Sequence, residues 1–265
     1  MYKLIAIDID DTLLNSHNQV TEVTKQALKA AQNAGVTVTL ATGRMFASAQ
    51  QIAKQIELNV PIITYQGSLV KTLLDEKILY QRDVPQEASA ELLNYVKEHQ
   101  LHLQLYVNDT LYGIEDNERI KAYSKNSNIP YKIEADFNAL ITQPNHKMLI
   151  IDEPHVLDSH IPILQEKFGH VLHITKSKPN FLEFMHKQGT KGEALKFLAE
   201  HFNCQLSETI AIGDAWNDRE MIQVAGLGIA MGNAVEPLKE LADFITLSND
   251  EDGVAYAINK FIFNK

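Results

Sequence analysis

The sequence predicts an α/β protein in which a Rossmann-like parallel-sheet core carries an inserted α/β cap domain. Three observations lead there. Short apolar runs alternate with helical patterns at the start of the chain, hairpins and paired strands replace that rhythm in the middle, and the alternation resumes after Gly189.

Residues 3–9 read as a buried parallel strand. Thr21 then caps a helix whose small apolar face is Val23, Ala27, Ala30 and Ala34, stopped by Gly35. A strand over 36–41, a helix over 45–58 and a strand over 62–64 continue the parallel sheet. Residues 70–74 and 77–80 form a hairpin through Asp75 and Glu76, and Asp83-Val84-Pro85 reads as a hinge. Beyond it come a helix (86–99), paired strands around Asn108-Asp109, a helix (116–126), a strand (147–151), a helix (155–168) and strands at 171–176 and 181–186. That order fits a helix-backed antiparallel sheet, the inserted domain. A helix over 191–201, a strand over 209–212, a helix after Asn217 and Gly-rich units at 226–233 and 242–247 return to the first rhythm. The expected division is therefore 1–84 and 188–265 for the core and 85–187 for the insertion.

Composition narrows the function. At 265 residues the chain is long for one core. No stretch approaches the roughly 18 apolar residues of a membrane helix, and the run at 4–7 meets Asp8 too soon for a signal peptide, so a cytoplasmic location is expected. A single cysteine, Cys204, excludes an internal disulfide and a thiolate zinc cage. A formal charge of −10, with no basic stripe, argues against nucleic acid as a partner. No protein partner is implied. The ten histidines form no His-Glu-x-x-His pattern, and most read as surface or helix-end residues of the inserted domain.

Four clusters carry chemistry. Asp8 and Asp10 stand two apart where a parallel strand opens into its crevice, so both carboxylates project to one side. They either cap a loop or hold a divalent cation, and alone they leave both readings open. Asp214 and Asp218 follow another apolar strand and Gly213; with Asp8 and the Asp10 carbonyl they meet magnesium's demand for oxygen ligands. Thr42-Gly43-Arg44, between strand and helix, offers a hydroxyl and backbone N–H groups to a phosphoryl oxygen, although a Thr N-cap explains Thr42 equally well. Lys191 begins a helix, where a cation opposes the dipole, and an anion facing it explains the placement better than an ordinary surface lysine does. Together these residues read as a magnesium-dependent phosphate-handling site with an aspartate nucleophile.

With these motifs in this order, the chain resembles the haloacid dehalogenase (HAD) superfamily, and within it the Cof-like sugar phosphatases, over essentially its full length. Asp8, Asp10 and Thr12 match the first motif, Thr42 the second, Lys191 the third, and Gly213-Asp214-x-x-Asn217-Asp218 the fourth. The resemblance implies a HAD-like core with a cap, Mg2+ as cofactor, and hydrolysis of small phosphomonoesters through an aspartyl phosphate. It assigns catalysis to Asp8, Asp10, Thr42 and Lys191, and the metal to Asp8, Asp10, Asp214 and Asp218. Substrate contacts fall to Thr42, Gly43, Arg44, Gly67, Lys191 and Asn217, with Arg44 and Gly67 near the substrate mouth. Asp10 also favours phosphotransfer over dehalogenation. Two positions depart from the pattern: Asp11 stands where Gly is usual, and Gln66-Gly67 where Asn-Gly is expected. Sugar phosphates with broad specificity are the expected substrates, a cofactor phosphate such as pyridoxal 5′-phosphate or flavin mononucleotide being another. The competing functions are a phosphomutase and a non-catalytic phosphate-binding regulatory protein.

Overall fold

The computed structural model describes residues 2–56 and 60–264. The first apolar run forms β1 (Leu4–Asp8), buried along its whole length. It is followed by α1 (Glu22–Asn33), β2 (Thr37–Ala41), α2 (Phe46–Gln55) and β3 (Pro61–Thr64). Positions 57 and 58 of the expected 45–58 helix lie outside the described residues. The chain then folds as β4 (Leu69–Thr72), β5 (Ile78–Gln81), α3 (Gln86–Glu98), β6 (Leu103–Val107), β7 (Thr110–Gly113), α4 (Glu118–Ser127) and β8 (Tyr131–Ile133). Next come β9 (Asn145–Ile151), α5 (Pro154–Phe168), β10 (Leu172–Lys178), β11 (Phe181–His186), α6 (Lys191–His201), β12 (Thr209–Gly213) and α7 (Arg219–Val224). The end of the chain supplies β13 (Leu227–Ala230), α8 (Glu236–Lys239), β14 (Phe244–Ile245) and α9 (Gly253–Phe263).

Two sheets result. The larger runs β14-β13-β12-β1-β2-β3-β4-β5, parallel as far as β3 and closed by the antiparallel β4–β5 hairpin. The smaller runs β10-β11-β9-β6-β7-β8 and forms the inserted cap. Strand β1 is the switch point: β2 and β3 follow on one side and β12 to β14 on the other, so the crevice opens where β1 ends.

Side-chain alternation decides which cap residues look at the core. Met148 and Ile150 of β9, with Leu182 and Phe184 of β11, join the cap's own apolar cluster under α3 and α5. Leu149 and Ile151 face the opposite way and merge with the main core, with Tyr106 and Tyr123. Lys147 and Glu183 share that second face by the same period of two.

Several expectations are corrected. The buried stripe of α1 is Thr24, Ala27, Leu28 and Ala31; Val23, Ala30 and Ala34 are exposed, because the helix is turned so that Leu28, its largest apolar side chain, reaches the core. The cap sheet is not wholly antiparallel: β8, a three-residue strand too short and polar to announce itself, pairs parallel with β7. A helix, α9, occupies the end of the chain, where the sequence reading had placed no element; it packs against α1. His102 and His146 are buried, not surface residues: the Asn117 amide reaches the first and Asp83 the second, at 3.0 and 2.8 Å. No helix among the described residues is long and apolar enough to cross a membrane.

Candidate active site

The parallel strands deliver their C-terminal ends to one edge. Asp8 ends β1 in register with Ala41 of β2, and Ile7 pairs with Ile212 of β12, so the residues after each strand converge. From Asp8 the chain enters a tight turn, Ile9–Leu13, in which Asp11 takes a left-handed φ of 56°. That turn presents Asp10 and aims Thr12 Oγ1 as a donor to Asp214 Oδ1 at 2.8 Å. On β2's side Thr42 Oγ1 accepts from the Arg44 backbone N–H at 3.1 Å. Helix α2 starts only at Phe46 with Met45 as its N-cap, so the helix-cap explanation of Thr42 fails.

Lys191 comes from α6, which Thr190 caps by accepting from Glu193 N. Its Nζ donates to Asp8 Oδ1 and Asp218 Oδ1, both at 2.5 Å, and the side chain is buried. The other Asp218 oxygen accepts from the backbone N–H groups of Asp214 and Ala215 at 3.1 and 3.2 Å, which shapes the turn after β12. Gly213 is required there: a Cβ would lie 2.5 Å from the Asp218 carboxyl carbon.

Asp8, Asp214 and Asp218 each offer an oxygen within 4.8 Å of the others. Burial, then the charge of Asp218, push the Asp8 pKa well up, with Lys191 opposing them. Burial and Asp218 likewise raise Asp214 to about 7. Three crowded carboxylates with one ammonium leave unbalanced negative charge, and an all-oxygen donor set of this kind fits a hard divalent cation. The cluster is positioned to hold Mg2+. Asp10 lies outside that group. Arg44 Nε and Nη2 donate to its two oxygens at 2.8 and 2.6 Å, and although burial pulls the other way, these bonds and the Arg44 charge hold its carboxyl below the usual range. A ligand role for Asp10 therefore rests on its carbonyl, not its side chain.

A cavity of about 180 Å³ opens over these groups. Asp8, Asp10, Thr42, Gly43, Arg44, Asp214 and Asn217 line its floor, and Tyr123, Asn126, Ser127, Ser177, Lys178 and Phe181 of the cap line its roof. Gly67 does not line it. It is buried at φ 111° against Thr190, whose carbonyl oxygen would stand 2.1 Å from an added Cβ, so its role is to let the Lys191 segment approach. Sequence reasoning missed Lys147 and Glu183 and noted Gln66 only as a departure from Asn-Gly. Lys147 Nζ donates to the Gly43 carbonyl at 2.7 Å and to Glu183 Oε1 at 2.8 Å, and Gln66 Nε2 donates to Glu183 Oε2 at 2.5 Å. A charge inside an otherwise apolar strand was the available signal, the same one that singled out Asp8.

The fold and the acidic centre define a magnesium-dependent phosphomonoester hydrolase acting through its aspartate cluster. The sequence agrees: residues 5–258 match the family of haloacid dehalogenase-like hydrolases, and the chain belongs to it, within the Cof-like phosphatases. A protein of Streptococcus pyogenes serotype M6 that carries a phosphatase name is 34% identical, with 99% of each chain covered. The crystal structure of TM0651 from Thermotoga maritima superposes with a TM-score of 0.86 at 35% identity, covering 98% of each chain. The Bacillus subtilis 5-amino-6-(5-phospho-D-ribitylamino)uracil phosphatase YitU is 26% identical over 97% of both chains.

Proposed function

We propose that this phosphatase hydrolyses small phosphomonoesters, sugar phosphates foremost, with broad specificity and through an aspartyl phosphate on Asp8. One observation carries the reading: Asp8 and Asp10 open together onto a small cavity whose far wall is polar. In the first half-reaction an Asp8 oxygen attacks phosphorus, the bond to the leaving oxygen breaks, and Asp10, protonated once substrate draws Arg44 away from its two oxygens, gives that oxygen its proton. In the second, Asp10 takes a proton from water, the resulting hydroxide attacks phosphorus, and the Asp8–phosphorus bond breaks to release inorganic phosphate. Lys191 holds Asp8 in place, while Thr42 and the backbone after it cradle the phosphoryl oxygens. Bound Mg2+, held by Asp8, Asp214 and Asp218 with the Asp10 carbonyl, supplies positive charge that offsets the repulsion between nucleophile and phosphate.

The cavity argues for the substrate class. Its volume of about 180 Å³ falls below the roughly 300 Å³ at which drug-sized pockets begin, which favours a sugar-sized leaving group over a flavin. Tyr123, Asn126, Ser127 and Ser177 offer hydroxyl and amide groups suited to a polyol. YitU's name gives it a phosphorylated ribityl chain carried on an aminouracil, so its phosphate end is a polyol of this class. On this reading residues 85–187 are the cap and close over the substrate, and the core is 1–84 with 188–265. Phosphate release from a panel of sugar, nucleotide and cofactor monoesters, with Mg2+ and with Asp8→Asn as the blank, tests it. Release lost in Asp8→Asn and greatest for sugar phosphates is expected. No release by the wild type, or preference for flavin mononucleotide, would overturn it.

A further inference from the structure

A hydrogen-bonded relay runs from the cap to both halves of the phosphate site. Lys147 and Glu183 stand on neighbouring cap strands, β9 and β11, and are almost fully buried. The Lys147 ammonium meets the Gly43 carbonyl, Glu183 Oε1, and the Tyr106 ring face with its centroid 4.9 Å away. Two of its three donors are thus spent on protein, one on each side of the seam between cap and core. The second Glu183 oxygen accepts from Gln66, whose own Oε1 accepts from Asn217 Nδ2 at 3.0 Å. Asn217 Oδ1 is buried with no partner among the described residues, so the relay fixes an amide whose acceptor is left for a ligand.

The backbone around Gln66 shows that this arrangement is imposed. Tyr65 and Gln66 both take left-handed φ values, 51° and 61°, ahead of Gly67 at 111°. Two such residues in succession persist only where the surroundings over-determine them. Gln66 also fills the space beside Gly43, where an added Cβ would lie 2.3 Å from its amide nitrogen. The departure from Asn-Gly at this position thus supplies the longer side chain that spans the gap.

We propose that Gln66, Lys147 and Glu183 are positioning residues that make the phosphate site depend on the seating of the cap. Lys147 holds the Thr42–Arg44 loop by its Gly43 carbonyl, and Glu183, through Gln66, holds Asn217. With the cap seated, both sides of the site are in register; with it lifted, both lose their tether together. The proposal rests on the phosphatase reading above, since it takes those two segments as the substrate's surroundings.

The test exchanges two groups. Glu183→Gln confronts the Gln66 amide with a second amide that must also serve Lys147, and Gln66→Glu sets two carboxylates face to face. The double variant restores the donors and acceptors: Lys147 to the Gln at 183, that amide to the Glu at 66, and Asn217 to its other oxygen. Each single variant is expected to lose about tenfold or more in kcat with KM changed less than threefold, and the double to recover at least half of the loss on a logarithmic scale. Hydrogen exchange gives a readout independent of turnover: residues 43–48 and 214–218, both in the core, are expected to exchange faster in Glu183→Gln. Should that variant not fold, Gln66→Leu cuts the relay while leaving the Lys147–Glu183 pair intact and carries both measurements. Losses that multiply in the double variant, unchanged kcat in the single variants, or faster exchange confined to β9 and β11 would overturn the proposal. A wild type that releases no phosphate refutes the phosphatase reading instead, and the exchange data still decide the relay.

Discussion

Replacing Gly67 with alanine is expected to cost both stability and turnover, by amounts that follow from its surroundings. Its φ of 111° lies beyond the left-handed helical region that L-residues occasionally occupy, which costs about 1–3 kcal/mol. The new Cβ would also stand 2.1 Å from the Thr190 carbonyl oxygen and 2.6 Å from Lys191 N. Both are backbone atoms, so the start of α6 must retreat by roughly 1 Å, an overpacking cost of about 1–3 kcal/mol more. Alanine's smaller unfolded-state entropy returns about 0.4–1 kcal/mol. A net loss of about 1–6 kcal/mol lowers Tm by at least about 2 °C in a chain of this size. Because Lys191 Nζ touches Asp8 at 2.5 Å, the same shift disturbs the nucleophile, and a displacement of about 1 Å is worth roughly a hundredfold in rate. Thermal unfolding and kcat on a sugar phosphate read the two effects. Gly35→Ala is the control: its φ is 85°, but among the described residues nothing lies within 4 Å of its Cβ, so it should lose about 1–2 kcal/mol and no turnover. Wild-type Tm and kcat in Gly67→Ala, or an equal loss of turnover in Gly35→Ala, would refute the reasoning.

Three further outcomes are expected. In single turnover, which isolates the first half-reaction, Asp10→Asn should slow leaving-group release from a sugar phosphate far more than from p-nitrophenyl phosphate, whose leaving group needs no proton; equal losses would remove Asp10 from acid catalysis. Removing Mg2+ by chelation should abolish phosphate release and lower Tm, with both restored by Mg2+, because the ion binds only the folded acid cluster; a Tm indifferent to Mg2+ would argue against the site. Stability should fall as pH drops from about 6.5 to about 4, in part through His102, whose pKa burial and Arg119 lower to about 4. Asn117 Oδ1 caps α4, which turns its NH2 toward His102 Nδ1 and keeps the folded ring neutral, whereas the unfolded chain takes up the proton first. The linkage amounts to about 3 kcal/mol across that window. His102→Gln, followed by urea unfolding against pH, should flatten this part of the profile, and an unchanged slope would refute the assignment.

Much of this was legible in the chain. Asp8, Thr42, Lys191 and Asp214 stand beside apolar strands or helix starts, and local rules of strand ends and capping found them without knowledge of their neighbours. The face of α1 was not legible, because Val23-Ala27-Ala30 and Thr24-Ala27-Leu28 are both helical stripes and only packing chooses between them. Gly67 was assigned to the substrate from resemblance, whereas its fixed φ and its contact with Thr190 give it a supporting place.

The sequence by itself determined the parallel core, the inserted cap and the identity of the acidic centre, because those depend on periodicity and on residue types that are costly to bury without purpose. The tertiary structure alone decided that Asp10 is held by Arg44, that Gly67 carries Lys191, and that Lys147 and Glu183 reach across to Gly43 and Gln66. The last of those contacts joins residues 117 positions apart in the chain. No local pattern encodes such a separation, and only the docking of one sheet on the other sets which side chains share the space between them.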